Sequence, residues 1–325
     1  MPTLTRKDFQ STDEVRWCPG CGDYAILAQF QKMLATIGAR KEEHVIVSGI
    51  GCSSRFPYYV DCYGLHGIHG RAPAIATGVK LANPELTVWV ATGDGDGLSI
   101  GVGHLLHALR RNVDIKVLLF NNRIYGLTKG QFSPTSPAGL VTRSSPHGNP
   151  DQPVNPLDFA VGAGASFAAR AIDTDTARLH DILVAAARHR GSVFVEILQN
   201  CPIFHDGAFA HLKDPGRRLR LEEGLPMRFD AGALGLGDDG RLAVVAGDDT
   251  AAAVHDPADR EMARRLAAIE GSDALPWPLG IVYRAERAVH HAGLVPGAGF
   301  RPDRARMRKR LAAAGSTRAP IPGKG

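Results

Sequence analysis

Five short aliphatic and β-branched runs, His44 to Ser48, Thr87 to Ala91, Asp114 to Phe120, Ser166 to Ile172 and Ser192 to Leu198, alternate with segments of helical spacing. This alternation constrains the fold more than any other feature of the chain. The runs are almost continuously apolar, as parallel strands covered on both faces are, whereas a half-solvated strand alternates apolar with polar residues. Helical spacing is found at Asp23 to Ile37, Arg71 to Ala82, Leu98 to Arg111 and Thr174 to Arg190. The last of these opens on the capping-type residues Asp173, Thr174 and Asp175 and closes at Gly191. The expectation is an α/β fold, a parallel sheet with helices on both faces and right-handed crossovers.

Two regions break the pattern. Arg123 to Pro156 lacks periodicity and is rich in Pro, Gly, Ser and Thr. It is far longer than the usual connection of about 4 to 6 residues, so it reads as a functional loop. After Pro202 come Gly-Asp turns, a strand expected at Leu242 to Ala246, a polar helix at Ala258 to Glu270, and a basic tail with Arg301, Arg304, Arg306, Arg308, Lys309 and Arg310. This reads as an irregular C-terminal extension, with a cofactor domain at 1–206 and the extension at 207–325. The tail is expected to be a solvated helix; docking to a partner chain is its functional alternative.

Composition narrows the function. With 38 Lys plus Arg against 33 Asp plus Glu, the net charge is +5 over 325 residues, spread along the chain, which does not announce a nucleic-acid partner. No apolar run reaches the roughly 18 to 20 residues of a membrane span, and the N-terminus shows no signal-peptide stretch, so a cytoplasmic, reducing setting is expected. There the five cysteines, Cys18, Cys21, Cys52, Cys62 and Cys201, pose a question of metal binding or catalysis rather than of disulfides.

Gly93-Asp94-Gly95-Asp96 follows one strand; 25 residues, Asp96 through Phe120, separate Gly95 from Asn121-Asn122 after the next. Both ends therefore reach the C-terminal edge of the sheet, where open α/β folds bind ligands. Glycines let the backbone approach a phosphate, the following helix directs its N-terminal amides at the anion, and a carboxylate with an amide oxygen gives hard ligands for Mg²⁺. The pair resembles the signature of thiamine diphosphate (ThDP) enzymes. That resemblance implies Mg²⁺ coordination by the Asp94 and Asn122 side chains and the Ile124 carbonyl, with Gly95, Asp96, Gly126 and Leu127 at the cofactor.

Cys18 and Cys21, two residues apart in Trp17-Cys18-Pro19-Gly20-Cys21, have a spacing that a tetrahedral metal or an iron–sulfur iron accepts. Cys52 and Cys201 each follow a strand, so four thiolates can converge at the same sheet edge, leaving Cys62 over. Buried free thiols, a four-thiolate zinc site, a Cys18/Cys21 redox pair and an iron–sulfur cluster all fit this spacing.

Together with His66-Gly67-Ile68-His69-Gly70-Arg71, the segment Asn121 to Gln131 and Ser133-Pro134-Thr135, these motifs resemble the β subunit of 2-oxoacid:ferredoxin oxidoreductases, especially the 2-oxoglutarate branch. The resemblance is dense from Arg16 to Asp206. It implies a 4Fe-4S cluster on Cys18, Cys21, Cys52 and Cys201, with Ile50, Gly51, Cys52, Ser53 and His69 lining ThDP and Arg55 reading the substrate side chain. Lys129 and Gln131 are candidates for closing the site. The implied reaction is the coenzyme A-dependent oxidative decarboxylation of a 2-oxoacid, with electrons leaving through the cluster to ferredoxin. The implied partner is an α subunit carrying the pyrimidine-binding domain and its activating glutamate, so no catalytic residue is assigned to this chain alone. The alternatives are a pyruvate-type subunit, a non-redox ThDP decarboxylase or carboligase, and a non-catalytic metal scaffold; neither a nucleic acid nor a membrane is an expected partner.

Overall fold

The computed structural model of the protein describes residues 4–245, 252–270 and 275–293, with single positions 305 and 309. Strands β1 (His44–Ser48), β2 (Tyr63–His66), β3 (Thr87–Gly93), β4 (Ile115–Asn121), β5 (Phe167–Ile172) and β6 (Val193–Leu198) run parallel in the order β2-β1-β3-β4-β6-β5. The near-continuous apolar runs have a direct cause, because each strand serves two cores. Trp89, Leu118 and Phe120 face the helices α1 (Asp23–Thr36) and α7 (Thr176–Arg188), packing on Phe30, Leu34 and Leu183. Val88, Val90, Val117 and Leu119 face the other way, toward Ala76, Leu105, Leu109 and Ala160 of α3 (Ala72–Ala82), α5 (Val102–Arg110) and α6 (Pro156–Gly162). Each fully buried large apolar side chain contributes about 1.5 to 3 kcal/mol. A short α2 (Phe56–Tyr59) follows the Cys52 segment.

The helix expected at Leu98 to Arg111 begins earlier and is interrupted. A short α4 (Asp94–Leu98) starts inside the Gly-Asp-Gly-Asp motif, breaks at Ser99 and restarts as α5. The break lets the His69-Gly70 turn pack close: a Cβ on Gly101 would lie 2.5 Å from Asp96 O and 2.9 Å from Gly70 Cα. Between β4 and α6 the chain forms no helix or regular strand, as its lack of periodicity predicts. It is held by side chains instead, chiefly Asn149, whose Nδ2 donates to Ser136 O at 3.0 Å and Pro137 O at 3.2 Å.

Beyond residue 206 the described residues do more than extend the domain. β7 (Arg218–Arg220) and β11 (Trp277–Arg284) add two strands to the main sheet, and β8 (Arg228–Phe229), β9 (Gly232–Leu236) and β10 (Leu242–Val245) form a small antiparallel sheet. β11 changes neighbours along its length: Trp277 to Leu279 pair with β7, and Gly280 to Arg284 pair antiparallel with β5 around a bulge. This explains how Pro278 and Gly280 sit in a strand that the sequence does not mark. The polar helix appears as α8 (Arg260–Ala267), capped by Asp259, and packs Met262 and Leu266 with Leu157, Val161 and Ala168. Ala246 and most of the basic tail lie outside the described residues.

Candidate active site

β1, β3, β4 and β6 are neighbours, so the residues that follow them share one edge of the sheet. Two cavities open there. One, of about 400 Å³, is lined by Ile50 to Ser53, His69, Asp94 to Asp96, Asn122, Ile124, Gly126 and Leu127, every position that the ThDP and Mg²⁺ readings named. The second, of about 210 Å³, is lined by Cys18, Cys21, Cys52 and Cys201. Cys52, Asn122, Gly126 and Leu127 border both, so the cavities share a wall.

Asp94 is buried, and its Oδ2 accepts from Ser133 Oγ at 2.5 Å and Thr135 Oγ1 at 2.6 Å. Burial raises its carboxyl above the usual range against these two hydrogen bonds. A bound cation is what returns such a group to the ionised form. Asn122 Oδ1 accepts from Ile124 N at 3.2 Å, and the Asn121 side chain turns back, donating to Glu196 Oε1 at 2.8 Å. A carboxylate, an amide oxygen and the Ile124 backbone carbonyl are hard donors that suit Mg²⁺.

Asp96 acts differently from Asp94. Its carboxylate is engaged by four protein groups: Ile50 N at 3.0 Å, Gly70 N at 2.7 Å, His69 Nδ1 at 2.7 Å and Thr92 Oγ1 at 2.7 Å. It thereby ties the Ile50 segment and the His69 turn to α4. Gly49 makes room for it, since a Cβ there would lie 1.9 Å from Asp96 Oδ2. His66 stands apart from the cavity, its Nδ1 3.0 Å from Tyr58 Oη.

The cavity wall also fits a cofactor. Ser53 Oγ and Asp23 Oδ1 are buried without a hydrogen-bond partner among the described residues, and both residues line the 400 Å³ cavity. Ligand pockets usually hold about 300 to 1,000 Å³ and a few such polar groups. Asp23, which sequence reasoning missed, is pushed to about 7, first by burial and then by Asp173. Its only sequence signal is an acidic residue opening α1 directly after Cys21-Gly22. Tyr125 closes over Gly95, donating to Gly95 O at 2.9 Å, and a Cβ on Gly95 would lie 2.2 Å from its ring.

Around the second cavity, Trp17 Nε1 donates to Cys52 O at 2.8 Å and Gln199 Nε2 lies 3.2 Å from Cys21 Sγ. A Cβ on Gly126 would lie 3.7 Å from both Cys52 Sγ and Cys201 Sγ, so the Gly126 backbone in the shared wall lies close to these sulfurs. Burial pushes the Cys52 thiol up to about 12 and Cys21 higher still, so thiolates at these positions require a positive centre. A single zinc would draw its four sulfurs to about 3.8 Å from one another, given bonds of about 2.3 Å. Among the described residues no group of three or more His, Cys, Asp or Glu side chains is placed to hold one metal ion. Arg55 and Lys129 line this second cavity with Arg16, while Gln131 lines the first. Cys62 lies outside both, pushed up to about 12 by burial.

The family model described as "Thiamine pyrophosphate enzyme, C-terminal TPP binding domain" matches residues 49–197. A solved 2-oxoglutarate:ferredoxin oxidoreductase from Magnetococcus marinus, with 2-oxoglutarate, coenzyme A and succinyl-CoA bound, is 34% identical and superposes with a TM-score of 0.76 over 96% of this chain and 92% of that one. The 2-oxoglutarate synthase subunit KorB of Archaeoglobus fulgidus is 42% identical over 206 residues, 62% of this chain and 77% of that relative. The chain belongs to the β-subunit family of the 2-oxoacid:ferredoxin oxidoreductases. Another member of this β-subunit family, the 2-oxoglutarate oxidoreductase subunit KorB of Mycobacterium tuberculosis, is 59% identical over 228 residues, 69% of this chain and 61% of that relative. The chain spans about three fifths of the length of the first curated relatives it matches. The family-model match runs from the Gly49 segment into β6, takes in every lining residue of the larger cavity except Asp23, and leaves Cys18, Cys21 and Cys201 on its flanks.

Proposed function

We propose that this chain is the β subunit of a 2-oxoglutarate:ferredoxin oxidoreductase, carrying ThDP, Mg²⁺ and a 4Fe-4S cluster and converting 2-oxoglutarate and coenzyme A to succinyl-CoA and CO₂. The observation that carries this reading is the wall shared by the two cavities. Cys52 lines both, and the Gly126 backbone, also part of both walls, lies beside the Cys52 and Cys201 sulfurs.

In this reading Asp94 and Asn122 hold Mg²⁺ by their side chains and Ile124 by its carbonyl, while Ile50 to Ser53, His69, Gly95, Asp96, Gly126 and Leu127 form the ThDP site. Cys18, Cys21, Cys52 and Cys201 hold the cluster. When bound, ThDP supplies the electron sink for decarboxylation and the cluster a one-electron outlet to ferredoxin. The chain's own residues orient and enclose: Asp96 fixes the His69 ring, and Tyr125 covers Gly95. Arg55 offers a guanidinium that can grip a second carboxylate bidentately, a group that 2-oxoglutarate has and pyruvate lacks. Arg55 lines the smaller cavity beside the thiols and not the larger one, so in this reading it reaches the substrate from the thiol side.

The activating glutamate is assigned to an α subunit, so the cofactor domain at 1–206 forms half of an active site, and the described residues beyond 206 pack against it. Among the described residues no helix is long and apolar enough to cross a membrane, and a cytoplasmic complex that docks ferredoxin is proposed.

The test is anaerobic purification with the α subunit, followed by iron, sulfide and ThDP content and turnover with 2-oxoglutarate, coenzyme A and a viologen acceptor. Brown protein whose turnover needs both subunits is expected. A colourless, zinc-containing preparation overturns the redox reading, and turnover by this chain alone overturns the shared site. Comparing kcat/KM for 2-oxoglutarate and pyruvate after Arg55→Ala tests the substrate assignment, which requires a selective loss on the dicarboxylate.

A further inference from the structure

Arg123 stands between Asn122 and Ile124, the two loop positions assigned to Mg²⁺, and its φ is +58°. A side chain with a Cβ is disfavoured in this left-handed region, where glycine is at ease, so an arginine there has to be held by its surroundings. Main-chain bonds supply part of the hold: Arg123 N donates to Asn121 Oδ1 at 3.1 Å, and Arg123 O accepts from Ser136 Oγ at 2.6 Å. The rest comes from the guanidinium, and it comes from far along the chain. Arg123 Nη2 donates to Glu270 Oε1 at 2.9 Å, with both side chains nearly buried, and Cζ stacks 4.8 Å from the Phe209 ring centroid and 5.3 Å from that of Trp277.

Glu270 is itself fixed. Its Oε2 accepts from Arg170 Nη2 at 3.0 Å, and Arg170, fully buried, donates through Nε to Glu196 Oε2 at 2.6 Å. Glu196 Oε1 accepts from Asn121 Nδ2 at 2.8 Å, and Thr135 Oγ1 lies 3.0 Å from Asn121 Oδ1 and 2.6 Å from Asp94 Oδ2. One polar chain therefore runs from Arg123 through Glu270 and back to Asp94, reaching the metal position from both sides.

We infer that Glu270, Phe209 and Trp277 clamp Arg123 so that the Asn122-to-Ile124 backbone is fixed in the conformation that presents the Asn122 side-chain oxygen and the Ile124 carbonyl to Mg²⁺. Arg123 and Glu270 are positioning residues; neither touches the metal. A glycine at 123 would reach the same φ without strain but would leave the loop free to leave it, whereas an anchored arginine holds a single geometry. The inference rests on the functional reading above, since it presupposes Mg²⁺ with ThDP in the larger cavity.

The test uses the full chain co-purified with its partner subunit, stripped of metal and titrated with Mg²⁺ in the presence of ThDP. ThDP binding is followed by calorimetry, below the melting temperature of every variant. For Arg123→Gly and Glu270→Gln the half-saturating Mg²⁺ concentration is expected to rise about 10- to 100-fold, the usual range when an outer-shell partner is lost. Turnover at saturating Mg²⁺ recovers toward the unaltered value. The double variant shifts little beyond the singles, because both remove one clamp. Arg123→Gly decides the matter if Glu270→Gln does not fold, since glycine suits this backbone and Glu270 keeps Arg170. Half-saturation within about twofold of the unaltered protein in Arg123→Gly overturns the inference while leaving the functional reading intact. So does a lowered melting temperature with unchanged half-saturation, the mark of a merely structural role. An unaltered complex that binds no ThDP in a Mg²⁺-dependent manner overturns the functional reading, and this inference falls with it.

Discussion

His69 Nδ1 lies 2.7 Å from Asp96 Oδ1, and the same carboxylate also receives the backbone amides of Ile50 and Gly70. A carboxylate only accepts, so Nδ1 is the donor of this pair. One buried acid thus orients a ring in the cavity wall and joins the turns after β1 and β2. Asp96→Asn turns an amide NH₂ toward groups that are themselves donors. The expected outcome is a loss of about 2 to 4 kcal/mol in stability, from weakened charge-assisted bonds and an unsatisfied donor. Urea unfolding checks the stability. ThDP titration checks the cofactor site, where affinity should fall at least about tenfold, as when an outer-shell partner is removed.

Gly95 and Tyr125 form a matched pair, since a Cβ on the glycine would lie 2.2 Å from Tyr125 Cε1. Gly95→Ala drives the ring out of place and breaks its hydrogen bond to Gly95 O. Overpacking of this kind costs about 1 to 3 kcal/mol. The single variant is expected to lose ThDP binding, and Gly95→Ala/Tyr125→Ala to recover the lost stability but not the covered site. Melting curves and ThDP titration distinguish the two effects.

Four cysteines line one cavity and the fifth lies elsewhere. Replacing Cys18, Cys21, Cys52 or Cys201 singly by Ser is expected to remove most of the iron, the sulfide and the brown absorbance from anaerobically purified protein. Cys62→Ser should keep all three. Iron analysis of the five variants side by side is the measurement, and iron retained without Cys52 or Cys201 contradicts the assignment.

Acid should weaken the fold through His44. Burial lowers its pKa from the ordinary value of about 6.5 to about 4, and its Nδ1 accepts from Trp89 Nε1 at 3.2 Å. The unfolded chain therefore takes up the proton first on acidification. The stabilising contribution is complete above pH 6.5 and is lost as the pH falls toward 4. This amounts to roughly 2 kcal/mol between pH 7 and pH 5. His44→Gln keeps an acceptor for the indole but does not titrate, so the drop in urea midpoint between pH 7 and pH 5 should be smaller in that variant by the corresponding amount.

Most of the site is local, which is why the sequence discloses it. Cys52, Asp94, Asn122 and Cys201 each lie within a few residues of a strand end. In a parallel sheet those ends meet at one edge, so period and punctuation alone bring the motifs together. The partners that hold the motifs are less visible. Ser133 and Thr135 can be read as part of a motif, but nothing in their spacing marks them as the donors to Asp94. Asp23 looks like an ordinary first-turn acid until its Oδ1, buried and without a hydrogen-bond partner among the described residues, is seen in the cavity wall.

By itself the sequence determines the α/β layers, the sheet edge at which the two cavities open and the four-plus-one division of the cysteines. Each depends on side-chain period or on distance from a strand end, and these are properties of neighbouring residues. Only the tertiary structure decides that β11 enters the sheet beside β5, that the Leu98 to Arg111 helix breaks at Ser99 to admit the Gly70 turn, and that Glu270 reaches Arg123. Those last two residues lie 147 positions apart, and an ion pair at that range leaves no periodic trace. It exists because the described C-terminal strands and helix bury their apolar faces against β5 and α6, which carries Glu270, Phe209 and Trp277 to the back of the loop that bears Asn122.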